Sequence, residues 1–186
     1  MTKNLLIIQT SLNSKGFTQK IAKYCEEHIK EKHSDKFNVE YINLLETENE
    51  FCNGGHLKDY SKETQQINKQ VESADFYILA TPVYNNGVSG VCKNFLDIHA
   101  KEMGKKYVAL VENAGGIYSI KQPYNMLIQC FQYYKINLID VVINTTGRSF
   151  DETGNLTDKI AMENLGRIIT EFEKMAATHK SMPEAE

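Results

Sequence analysis

A chain of 186 residues, 41% apolar and 24% charged, has the composition of a single globular domain with room for a substantial core. Its net charge of −3 leaves no basic footprint for nucleic acid and is too small for a dedicated electrostatic docking protein. The apolar runs are too short to span a membrane, and the stretch from Met1 to Ile8 is too brief for a signal peptide.

In chain order, Leu5 to Ile8 reads as a buried strand, and the loop Thr10 to Thr18 follows it. Phe17 to Lys32 has the spacing of an amphipathic helix, with Ile21, Tyr24, Cys25, His28 and Ile29 near one face. Phe37 to Ile42 alternates apolar with polar, as a strand near a sheet edge does. After a polar stretch from Leu45 to Tyr60, a helix from about Lys62 to Glu72 turns Ile67 and Val71 inward. Phe76 to Ala80 is continuously apolar, which suits a strand covered on both faces. Thr81 to Gly90 is then a loop: Pro82 is expected to stop the hydrogen-bond ladder, while Asn85, Asn86 and Gly87 tolerate unusual backbone angles. A helix follows with Val91, Phe95 and Ile98 on one face and Cys92, Leu96 and His99 beside it.

Tyr107 to Val111 is another strand, followed by a Gly-containing loop from Asn113 to Tyr118. A helix from Gln122 to Tyr134 carries Met126, Leu127, Cys130 and Phe131 at helical spacing, and Asn137 to Val142 returns to strand composition. Thr157 is the expected N-cap of the last helix, with Asp158 near its positive end, and Ile160, Leu165, Ile168, Ile169, Phe172 and Met175 form its stripe. The expected organisation is one domain over residues 1–179 and a polar tail over 180–186. The four cysteines, Cys25, Cys52, Cys92 and Cys130, have neither CxxC nor metal-ligand spacing. Zinc, iron–sulfur and disulfide roles therefore find no support, and the chain reads as cytoplasmic. Cys25, Cys92 and Cys130 read as small buried hydrophobes, and Cys52 as a loop residue.

Five alternations of strand and helix predict an α/β fold, a doubly wound five-stranded parallel sheet in the order 2-1-3-4-5. That order opens a crevice between strands one and three at their carboxyl ends, where such sheets bind ligands. Three loops meet there. Thr10 to Thr18 packs hydroxyls, an amide and a glycine before a helix start, whose free N–H groups attract anions. It is neither GxxxxGK[ST] nor GxGxxG, so nucleotide hydrolysis and Rossmann dinucleotide binding lose support. A phosphate cradle and an ordinary capped helix start both remain open for it. Tyr84 sets a flat ring at the end of strand three, and Gly115-Gly116 allows close backbone approach after strand four, although each loop could equally be a plain turn.

At these residues the chain resembles the NAD(P)H-dependent FMN reductase family of flavodoxin-like proteins. Thr10 to Thr18 is similar to that family's GSxRxGSxx(T/N) phosphate loop, and TPVYNNGVSGVCKNFLD, from Thr81 to Asp97, to its (S/T)PxYNxxxxGxxKNxxD segment. The Gly115-Gly116 loop and the stretch from Phe150 to Thr157 resemble the family's counterparts. Asn13 stands where the family usually has Arg and Gly16 where it usually has Ser, which leaves Lys15 as the loop's charge. Related iron–sulfur flavoproteins carry a cysteine cluster near position 52, and Cys52 alone cannot hold one.

The resemblance implies an FMN-dependent NAD(P)H oxidoreductase that passes electrons to a quinone, azo compound, free flavin or similar acceptor. It implies FMN with its phosphate on Ser11, Asn13, Lys15, Gly16 and Thr18 and its ring against Pro82, Val83, Tyr84 and Asn85. Gly115 and Gly116 would close the other side, and Phe17, Asn86 and Asn113 complete the set. No catalytic side chain and no metal are implied, because the flavin supplies the chemistry. An alternative is a flavodoxin-like FMN electron carrier without nicotinamide turnover, though such carriers are usually far more acidic and have loops closer to TxTGxT. A receiver domain of the same topology would need an acidic cluster after strand one, where Gln9-Thr10 stands. Tyr84, Tyr118, Tyr124, Tyr133 and Tyr134 gather around the rim, either as a subunit interface or as core residues with their hydroxyls at the surface. Family members are commonly dimers or tetramers, so a homodimer or homotetramer is the expected assembly.

Overall fold

The computed structural model describes residues 2–116 and 122–178, and the expected roles of Tyr118 and of the tail from Lys180 lie outside the described residues. The elements are β1 (Lys3–Gln9), α1 (Phe17–Lys32), β2 (Phe37–Asn43), α2 (Lys62–Ser73), β3 (Phe76–Tyr84), β4 (Gly87–Val88) and α3 (Gly90–His99). They continue with β5 (Tyr107–Ala114), α4 (Gln122–Tyr134), β6 (Asn137–Thr146) and α5 (Lys159–Thr178). The long strands are all parallel in the order β2-β1-β3-β5-β6, while β4 only folds back, antiparallel, on the end of β3. Without that short hairpin strand the order is the expected 2-1-3-4-5.

Alternation along the buried strands divides the core between two faces. Leu5, Ile7, Phe76 and Ile78 pack with Ile21, Cys25 and Phe172, which places α1 and α5 on one side. Leu6, Ile8, Tyr77 and Leu79 pack with Ile67, Val71, Phe95, Leu127 and Phe131, which places α2, α3 and α4 on the other. β2, an edge strand, alternates buried and exposed residues from Phe37 to Glu40, but Ile42 and Asn43 at its end are both buried. Burial pushes the Cys25 and Cys92 thiols up to about 12, so both are inert packing groups, whereas Cys130 is only half-buried.

Three expectations need correction. Pro82 does not end its strand. The Ala80 carbonyl accepts the Thr10 N–H from the β1 side at 2.9 Å, and Pro82, two residues on, faces the same side. There β1 has already turned into its loop, so the missing N–H leaves no gap, and β3 continues beside Asn113 of β5. The buried face of α3 is Cys92, Phe95, Leu96 and His99, with Val91 and Ile98 only half-buried. The N-cap of α5 is Asp158, whose Oδ1 accepts the Ile160 and Ala161 N–H groups at 3.0 and 3.2 Å. The Thr157 hydroxyl donates instead to the Ser149 carbonyl.

Candidate functional site

The loops after β1, β3 and β5 meet at the carboxyl rim of the sheet. The first is shaped by Gln9, a polar residue at the end of an apolar strand and fully buried. Its Oε1 accepts the Ser11 N–H, and its Nε2 donates to the Ser11 carbonyl at 3.0 Å and to Asn43 Oδ1 at 3.1 Å. Nested turns follow: Asn13 N–H donates to Ser11 Oγ, Lys15 N–H to Asn13 Oδ1, and Gly16 N–H to the Asn13 carbonyl. The chain thereby enters α1 with Gly16 at the N-cap, no side chain capping the helix, and no acidic residue in its first turn. The first-turn amides, Phe17 and Thr18 among them, are left open to an anion.

Thr18 is 1% exposed, yet its hydroxyl makes no hydrogen bond among the described residues. A hydroxyl on a buried residue that has no protein partner, beside uncapped helix amides, fits a phosphate group better than it fits an empty turn. Ser11, also 1% exposed, accepts from Asn13 and keeps its own O–H for another acceptor. Asn13 and Lys15 are exposed. The Phe17 ring stacks on Phe150 at 4.7 Å with Lys20 Nζ over it at 5.0 Å, so what Phe17 offers the site is its N–H.

Beyond the buried Pro82 and Val83, Asn85 and Asn86 both take positive φ, 50° and 61°, and make the two-residue turn that pairs Tyr84 with Gly87. Tyr84 at the tip is 49% exposed. A Cβ on Gly87 would lie 2.6 Å from Met126 Sδ, so the hairpin packs tightly on α4. Ser89 locks this loop to the first: its Oγ accepts the Cys92 N–H as the cap of α3 and donates to the Thr10 carbonyl at 2.9 Å. Asn113 points its amide at Thr145 Oγ1, 3.0 Å away. Gly115 and Gly116 are exposed, and a Cβ on either would meet nothing within 4 Å, so the backbone lies open to a flat ligand. The N–H groups of Asn85, Asn86 and Gly116 have no backbone partner among the described residues.

The structure therefore brings all fourteen candidate residues, from Ser11 to Gly116, to one rim. Sequence reasoning missed Gln9 and Ser89, whose hydrogen bonds fix the shape of the loops; the signal for Gln9 was a lone amide closing an apolar strand. The Lys93–Asn94 pair turns out to be architectural. Asn94 holds the loop ahead of α2 by accepting the Cys52 N–H and donating to the Glu50 carbonyl, and Lys93 pairs with Asp97 at 2.5 Å. A cavity of about 360 Å³ between that loop and the first is lined by Leu12, Leu44, Phe51 and Val91. Among the described residues no cluster of His, Cys, Asp and Glu could hold a metal ion, and no helix is long and apolar enough to cross a membrane.

Comparison with known proteins agrees with this geometry. The family model of NADPH-dependent FMN reductases matches residues 4–147. The chain is 24% identical over 144 residues to an NAD(P)H-dependent FAD/FMN reductase of Geobacillus thermodenitrificans, covering 77% of this chain and 78% of that one. It is 30% identical over 119 residues to an FMN-dependent NADPH-azoreductase of Staphylococcus saprophyticus, covering 61% of this chain and 62% of the azoreductase. In fold it resembles the apo form of an NADH:FMN oxidoreductase, with a TM-score of 0.73 at 17% identity, over 91% of this chain and 88% of the other. The chain belongs to the NADPH-dependent FMN reductase family, flavodoxin-like enzymes of flavin-mediated NAD(P)H oxidoreduction.

Proposed function

We propose that the rim formed by Ser11 to Thr18, Pro82 to Asn86 and Asn113 to Gly116 holds FMN, and that the enzyme passes electrons from NAD(P)H to a small acceptor. The observation that carries this reading is the set of unused donors at one end of α1: the unpartnered Thr18 hydroxyl, the Ser11 O–H and uncapped first-turn amides. When bound, the flavin supplies hydride acceptance from the nicotinamide and electron transfer onward. The chain's own part is placement. Ser11, Thr18 and the first-turn amides hold the phosphate with neutral donors and a helix terminus. The Tyr84 hairpin and the Gly115-Gly116 backbone bracket a flat ring. Free N–H groups at Asn85 and Gly116 are the donors for ring carbonyls, where negative charge grows on reduction. No side chain is assigned a proton-transfer role. An azo compound, a quinone or free flavin is the acceptor class, in keeping with the azoreductase and flavin reductase relatives. We place the enzyme in the cytoplasm as a homodimer.

The test is an FMN titration of purified protein, followed by anaerobic addition of NADPH or NADH. Fluorescence quenching, thermal stabilisation and bleaching of the flavin band by the nicotinamide are expected, with riboflavin binding more weakly than FMN. Neither quenching nor stabilisation at high micromolar FMN would refute the site. Flavin that binds but is not bleached would make the protein an electron carrier.

A further inference from the structure

The loop between Ser11 and Thr18 meets a dianionic phosphate with one exposed lysine, and position 13, where its family usually has arginine, is asparagine. The chain has two arginines, Arg148 and Arg167. Arg148 lies on the short turn Gly147–Ser149 that leaves β6, whose last residue, Thr146, pairs with Ala114 at the same carboxyl rim.

That turn is seated on the first residue of α1. A Cβ on Gly147 would come within 3.3 Å of the Phe17 ring, and Phe150 stacks on the other part of that ring. The turn is also held in shape: Thr146 Oγ1 accepts the Arg148 N–H and Ser149 Oγ accepts the Thr146 N–H, both at 3.2 Å. Its neighbouring carboxylates are engaged elsewhere. Asp158 caps α5 and accepts from Ser149 Oγ at 2.9 Å. Asp151 is wrapped by Thr153 and Asn155, whose hydrogen bonds pull its carboxyl down to about 2. The Arg148 guanidinium is exposed and makes neither an ion pair nor a side-chain hydrogen bond among the described residues. An unpaired arginine thus sits on a hydrogen-bonded turn whose Gly147 touches Phe17, the first residue of the helix whose first-turn amides are open.

We propose that Arg148 is the charged partner of the flavin's phosphate, serving from the β6 side in place of the arginine absent at position 13. The inference rests on the FMN site proposed above. A planar guanidinium suits two oxygens of one phosphate, which the single ammonium of Lys15 does not. The same chemistry would also suit the 2′-phosphate of NADPH, so the experiment separates the two. FMN and riboflavin affinities are measured by flavin fluorescence for the wild type, Arg148→Gln, Arg148→Lys and Arg148→Gln combined with Asn13→Arg, at two salt concentrations. Arg148→Gln should weaken FMN about ten- to hundredfold and leave riboflavin unchanged. Lysine should recover part of the loss, and Asn13→Arg should restore it. Unchanged FMN affinity, or equal losses for FMN and riboflavin, would overturn the role of Arg148 while leaving the site intact. A rise in KM for NADPH but not NADH, with FMN affinity unchanged, would overturn it in favour of the nicotinamide's phosphate. A wild type that binds no FMN would overturn the site and this role together.

Discussion

Ser11 and Thr18 stand at the same helix terminus in different states of use. Ser11 Oγ already accepts the Asn13 N–H at 3.2 Å, so removing it loosens the loop as well as the ligand. Thr18 has no such second duty, because its hydroxyl makes no hydrogen bond among the described residues. Thr18→Val should therefore leave the flavin-free protein as stable as before or slightly more so. It should weaken FMN by roughly 1.5–3 kcal/mol, the value of a hydrogen bond to a charged group. Thermal melts without flavin and quenching titrations with it read the two effects separately, and unchanged FMN affinity would place the phosphate elsewhere. The residue types of this loop were legible in the sequence, since hydroxyls before a helix start announce an anion site. Which hydroxyl was already committed was not legible, because that depends on Gln9 and the nested turns it sets.

Among elements, α3 is tied to the rest of its face by one buried histidine. His99 is fully buried, with Nδ1 3.0 Å from Asn68 of α2 and Nε2 3.0 Å from Asn49 in the loop ahead of it. Both ring nitrogens face an amide Oδ1, and a neutral ring donates from one nitrogen only; exchanging the O and N of the Asn49 amide, whose Nδ2 is otherwise a buried orphan, would satisfy the other. Burial pushes the His99 imidazole down from 6.5 to about 4. Below pH 6.5 the unfolded chain takes up a proton that the folded chain refuses until about pH 4, so stability is intact above 6.5 and falls between those limits. The slope approaches about 1.4 kcal/mol per pH unit from this group. Urea unfolding at a series of pH values should show that slope, and His99→Gln should flatten it; equal slopes in both proteins would refute the assignment. Periodicity identified every long element here, because each buries one face and repeats accordingly. It misjudged ends where a single partner decides the matter. Pro82 survives in β3 only because β1 stops at Gln9, and Asp158 takes the cap from Thr157 because Ser149 claims the threonine hydroxyl. The order of strands followed from handedness and alternation, and only the two-residue β4 lay below what a pattern of apolar residues records.

At the scale of the whole molecule, large apolar side chains stand exposed from the rim loops down the length of α4. Phe51 is 82% exposed, Tyr133 79%, Leu12 and Met126 56% each, and Tyr84 49%. Of the tyrosines grouped at the rim by sequence, Tyr84 and Tyr124 stand there, but Tyr133 and Tyr134 close α4 beside Gly104 and Lys105, at the amino end of the strands; Tyr124 and Tyr134 pack against the core, while Tyr84 and Tyr133 face outward. Met126 touches the Tyr84 hairpin, and Cys52 is bound to α3 through Asn94, so these groups lie around the α3–α4 face and the adjoining loops. Aromatic and methionine side chains held on rigid helices make good interface anchors, because little conformational freedom remains to be lost on binding. A second copy seated there would cover Tyr133 and Met126 and bring a wall toward Tyr84, shielding a bound flavin and its acceptor from water. Replacing Tyr133 with Lys, which leaves the buried Phe131 and Leu127 of α4 untouched, should shift the protein to monomer and lower acceptor reduction more than FMN binding. Light scattering across a dilution series, read beside activity, decides it: a wild-type monomer at tens of micromolar with full activity would remove the partner from the pocket.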